Sequence, residues 1–129
     1  MKKTITILLV ESDDEARRLF KTNLSNWGYR VVATLDEEDA IERAIGRGDR
    51  PDIILINQVG ISLEETRNMV QRICEQAEIP SSTPVVILAE QYGADLEGRD
   101  TQVGENEYIS YLEDGQQLLN LLEFLCGDR

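Results

Sequence analysis

Apolar positions along this chain alternate between two rhythms. Short, nearly unbroken runs occupy residues 5–10, 29–33, 53–56, 85–89 and 108–112. Between them, apolar residues recur every three or four positions. The unbroken runs suit strands buried on both faces of a sheet, and the spaced ones suit amphipathic helices. The first helical stretch carries Ala16, Leu19, Phe20, Asn23, Leu24 and Trp27 and stops at Gly28. A second carries Ala40, Ile41, Ala44 and Ile45 ahead of Gly46 and Gly48. A third carries Thr66, Met69, Val70, Ile73, Cys74 and Ala77 and stops before Pro80, and the last carries Leu118, Leu121, Leu122, Leu125 and Cys126. Ser12 before Glu15, Ser62 before Glu65 and Asp114 before Gln117 have the spacing of helix-starting capping boxes.

Repeated strand–helix units with short links imply right-handed crossovers and a parallel sheet. One link is weak. Between residues 91 and 106, where a further helix is due, Ala94, Leu96 and Val103 form no helical stripe, and Gly93, Gly98 and Gly104 interrupt the segment. Each glycine costs a helix roughly 1 kcal/mol relative to alanine, so this helix is expected to be short, shifted or irregular.

Composition narrows the function classes. A length of 129 residues fits a single domain, 1–129, with a real core. No apolar run approaches the roughly 20 residues that span a membrane. Met1-Lys2-Lys3 is basic, but the apolar run after it ends at Glu11 without a small-residue cleavage site, so no secretory signal is expected and the expected compartment is the cytoplasm. The net charge of −12 disfavours nucleic acid as a direct partner. The absence of histidine removes the commonest general base and metal nitrogen ligand. Cys74 and Cys126 lack metal spacing and sit on apolar helical faces, as buried small hydrophobes do.

Candidate chemistry gathers where the strands end. The first run ends on Glu11, followed by Ser12, Asp13 and Asp14, and the third, opened by Pro51-Asp52, ends on Asn57. Side by side in a parallel sheet, these residues meet at its carboxyl edge, where open α/β sheets place their sites. Carboxylates there are oxygen ligands for a hard cation such as magnesium, with Glu11 and Asp13 as candidates. The plainer reading of the residue types is that Ser12 caps a helix whose dipole Asp13, Asp14 and Glu15 complement. A phosphate-cradling loop is excluded, since these acids would repel the phosphate.

The motif order resembles the receiver domain of two-component response regulators along nearly the whole chain. It runs through Leu8-Leu9-Val10-Glu11, Trp27-Gly28-Tyr29, Pro51-Asp52-Ile53-Ile54-Leu55-Ile56, Thr83-Pro84-Val85-Val86-Ile87-Leu88 and Tyr108-Ile109 before a leucine-rich helix. The resemblance implies a flavodoxin-like, three-layer α/β sandwich with a five-stranded parallel sheet of order 2-1-3-4-5 and five helices. It also implies phosphoryl transfer from a histidine kinase onto one aspartate with magnesium.

Residue by residue, this chain departs from that machinery. Asn57 stands at the phosphoacceptor position, and a neutral amide is a poor nucleophile without charge for a metal. Of the family's acidic pair, Glu11 is retained and Ser12 replaces the second member. Ala89 replaces the serine or threonine hydroxyl, Tyr111 the lysine, and Leu112 the proline that follows through a cis bond. A cis bond to a non-proline costs about 2.5–4 kcal/mol, so a trans bond is expected here. Ile61 also stands in place of a usual proline.

The expectation is a degenerate receiver that binds magnesium weakly or not at all, is not an enzyme, and acts through protein contact. The alternative is a magnesium-dependent phosphoacceptor or phosphoprotein using Glu11 and Asp13. The partners implied are a histidine kinase or output protein, or a second copy of the chain, with Tyr108, Tyr111 and Leu112 on the face the family uses.

Overall fold

The computed structural model describes residues 4–46, 50–57, 60–89 and 94–126. Met1, Lys2, Lys3, Gly48, Gln91 and Gly93 lie outside the described residues. In chain order the elements are β1 (Thr6–Val10), α1 (Asp14–Asn26), β2 (Arg30–Thr34), α2 (Glu37–Gly46), β3 (Ile53–Asn57), α3 (Leu63–Ala77), β4 (Val85–Leu88), β5 (Asp100–Gln102), β6 (Glu107–Ser110) and α4 (Gly115–Cys126).

Five strands run parallel in the order β2-β1-β3-β4-β6. Their order is the one expected, with β6 in the fifth place. Two details differ. The sheet has a sixth strand, β5, antiparallel on the outer edge of β6, and the described residues form four helices rather than five. The segment expected to carry the irregular helix instead forms turns at 94–98 and then β5. Glycine explains part of this. Gly98 adopts φ +83°, a left-handed conformation foreign to a right-handed helix, and an added Cβ would lie 2.9 Å from Glu113 Oε2.

Alternation along each strand divides the core. Ile7 and Leu9 of β1, Ile53 and Leu55 of β3, and Val86 and Leu88 of β4 join Leu24 of α1 and the leucines of α4. Leu8, Val10, Ile54, Ile56, Val85 and Ile87 face the opposite layer with Ala40 of α2 and Val70 and Ile73 of α3. The β1 and β3 side chains in both groups are at most 5% exposed, so these strands read as unbroken apolar runs.

Turn chemistry sets where the elements stop. Gly28 takes φ +98° after α1, and Tyr29 N–H returns to Leu24 O at 3.1 Å. α3 ends on a left-handed Glu78 at φ 56°. Ser62 caps α3 through Glu65 N–H at 3.0 Å, and Asp114 Oδ1 accepts Gln117 N–H at 3.0 Å, both as expected. The cap of α1 is displaced by one residue. Asp13, not Ser12, accepts Ala16 N–H at 2.7 Å. Glu11 N–H is still paired to Thr34 O at 3.0 Å, so the chain leaves the sheet only at Ser12.

On the surface, Arg72 of α3 holds Glu37 of α2 through two contacts of 2.8 Å. This hydrogen bond keeps the Glu37 carboxyl below the usual carboxylate range. A depressed carboxyl stabilises the fold above its unfolded value, and that gain is lost as pH falls through the folded one. Solvent screening keeps the effect small. Arg72→Ala is expected to lower Tm by about two degrees at pH 7. The gap between variant and parent should close as melts move below the carboxylate range; an unchanged gap at low pH would assign the loss to packing.

Candidate functional site

Parallel pairing of β1 with β3 sets Val10 opposite Ile56, so the next residues, Glu11 and Asn57, emerge together at the carboxyl edge. Glu11 is 1% exposed. Its Oε1 accepts the Asn57 Nδ2–H at 2.6 Å, and its Oε2 accepts Asp13 N–H at 3.1 Å. The carboxylate is thus engaged on both oxygens by donors from β3 and from the start of α1. Arg17 Nη1 donates to Glu11 O at 2.9 Å and its Nη2 pairs with Asp14. Arg17 tethers the first turn of α1 to the end of β1, a role the sequence signalled only through its three-residue spacing from Asp14.

The other candidates ring this centre unequally. Ser12 and Asp14 are exposed, and Asp13 is committed to capping α1. Ala89 follows β4, beside the Asn57–Leu88 register pair, and donates its N–H to Ser110 O at 3.0 Å. Tyr111 follows β6, where its N–H meets Arg99 O at 2.8 Å and its O accepts Gly98 N–H at 2.7 Å. The described residues contain no cis peptide bond, so Leu112 follows a trans bond. Among the described residues no group of three or more His, Cys, Asp or Glu side chains converges as a metal site would require.

Tyr108, Tyr111 and Leu112 lie in β6 or directly after it and flank the sheet on both sides. Tyr108 and Leu112 pack on the α1–α4 layer, whereas Tyr111 packs on the α2–α3 layer. Ile61 is half-buried in the turn before α3.

A polar knot beside Tyr111 carried no sequence signal beyond a serine inside an apolar run. The fully buried Ser110 donates to Asp100 Oδ1 at 2.6 Å. Gln117 Nε2 reaches Asp100 Oδ1 at 2.9 Å and Arg99 O at 3.2 Å, tying β5, β6 and α4 together. Cys126 is buried as expected, but Cys74 is only half-buried. Burial, then Glu107 and Glu75, pushes the Cys74 thiol above its ordinary value.

No family model matches the sequence. The Porphyridium aerugineum protein described as probable transcriptional regulator ycf27 is 25% identical over 105 residues, covering 80% of this chain. The chain spans 40% of the length of that curated relative. Among solved structures, Vibrio cholerae chemotaxis protein CheY4 matches with a TM-score of 0.67 at 18% identity, covering 95% of this chain and 99% of that one. A response regulator receiver protein from Sinorhizobium medicae matches with a TM-score of 0.65 at 16% identity, covering 98% and 97%. The fold is that of a CheY-like response-regulator receiver domain. Among the described residues no helix is long and apolar enough to cross a membrane.

Proposed function

We propose that this chain is a receiver-like signalling module of a two-component pathway that works without phosphoryl transfer, by binding another protein in the cytoplasm. One observation carries the reading: the Asn57 amide donates at 2.6 Å to the buried Glu11 carboxylate. At the acceptor position this supplies a hydrogen-bond donor instead of a nucleophilic oxygen. It also occupies the carboxylate oxygen that a magnesium ion would need. The remaining donors support the same reading, since Ser12 is neutral and exposed and Asp13 faces its own helix. The residues present therefore offer a magnesium ion a poor site. Nor does Ala89 supply a hydroxyl, or Tyr111 a positive charge, for a phosphoryl group.

Incubation with magnesium and acetyl phosphate, or with beryllofluoride, is expected to leave the intact mass unchanged and the Asn57 amide resonances unmoved. A stoichiometric, magnesium-dependent adduct would overturn the reading. The rival reading is a magnesium-dependent phosphoacceptor using Glu11 and Asp13. Calorimetric magnesium binding tighter than millimolar, abolished in Glu11→Gln, would install that rival instead.

A further inference from the structure

A parallel crossover is ordinarily covered by a helix. The connection from β4 to β6 has none among its described residues, and beside α3 an open groove of about 1000 Å³ remains. One wall is the α3 stripe Leu63, Arg67, Val70 and Cys74, spaced at three and four residues; the other is formed by residues 105–107. Ile79 and Val85 supply apolar floor. A helix about 10 Å across, rising 1.5 Å per residue, fills roughly 120 Å³ per residue, so the groove holds roughly two turns.

Three observations specify the occupant. Charge is the first. Among the described lining residues four glutamates face one arginine. That arginine, Arg67, is taken up by Glu107 Oε1 through Nη2 at 2.7 Å and Nε at 3.1 Å. Exposed Glu64, Glu75 and Glu105 are left along the rim without a cation from the lining. Backbone pairing is the second. β4 is hydrogen-bonded to β3 on one side and β6 on the other, so the floor offers no strand edge to an extended peptide. A helix brings its own backbone bonds. The third is the apolar floor, which suits a helix with one apolar stripe.

We infer that this groove docks a short, basic amphipathic helix of a protein partner, which takes the place a crossover helix ordinarily fills. The inference rests on the chain being a protein-interaction module but not on the loss of phosphorylation. An adduct at Asn57 would sink the latter and leave the groove untouched.

The test uses the full chain and a fluorescein-labelled synthetic peptide of about fourteen residues, with leucines at i, i+3, i+4 and i+7 and lysines elsewhere. Fluorescence anisotropy at physiological salt is expected to give a Kd on the order of 10 μM. The expected loss is at least about tenfold for a peptide of the same composition with scrambled leucines, and for Glu64→Lys/Glu75→Lys, which alters only exposed side chains. Bound peptide should also slow iodoacetamide alkylation of Cys74. Equal binding of the scrambled peptide, indifference to the double substitution, or amide shifts centred on exposed Phe124 of α4 would each overturn the groove assignment.

Discussion

Asn57→Asp is expected to destabilise the domain by about 2 kcal/mol at neutral pH and to create no phosphoacceptor. The native amide donates to Glu11 Oε1 at 2.6 Å, and Glu11 is 1% exposed. An aspartate there removes the donor and sets a second carboxylate against a buried one. Losing a partner for a buried charged acceptor costs about 1–3 kcal/mol. Repulsion adds to this, although the half-buried position of Asn57 lets water screen it. Two carboxylates this close titrate as a pair, one of them holding a proton above the ordinary carboxylate range. The folded variant then binds that proton more tightly than the unfolded chain does. Its deficit is absent at acid pH and grows as pH rises through the raised value. Melts at pH 5 and 8 should show the gap from the parent widening to roughly 8 °C. A pH-independent gap would disprove the charge argument. If millimolar magnesium closes the gap and acetyl phosphate then yields an adduct, the pocket is intact apart from Asn57.

How much of this was legible in the sequence depended on the range of the interactions involved. β1 and β3 were plain because strands sealed on both faces must be apolar at every position, and their register brought Glu11 and Asn57 together from strand ends alone. The hydrogen bond between them was not legible. It depends on which way an amide turns and on Asp13 N–H holding the other Glu11 oxygen. The displaced cap of α1 has the same origin, since Ser12 and Asp13 are both good caps and the choice fell to a backbone bond between Glu11 and Thr34. Tyr108 and Leu112 pack on one side of the sheet and Tyr111 on the other, because residues an odd number apart leave an extended segment on opposite sides. That the described residues of the 91–106 segment form no helix was foreshadowed by glycine, but β5 was not. Its three residues are all exposed, and it is pinned by Asp100 through Ser110 and Gln117, contacts made across the sheet edge rather than along the chain.

The helix-poor face should also show in stability. Leu122→Ala and Ile79→Ala remove the same number of carbons from two buried sites, 0% and 6% exposed. Leu122 belongs to the cluster closed between α1, α4 and the sheet, so truncation leaves a sealed void. Lost transfer energy and an unfilled cavity together should cost about 4 kcal/mol and lower Tm by roughly 15 °C. Ile79 lines the open groove, where the freed space joins an existing depression and only the transfer part is forfeited. The expected cost there is about 1–2 kcal/mol. Urea titrations of both variants, compared at a common m-value, measure the difference directly. Equal losses would mean that the α3–β6 groove is closed in solution by chain packed over it, and the surface offered to a partner helix would go with it.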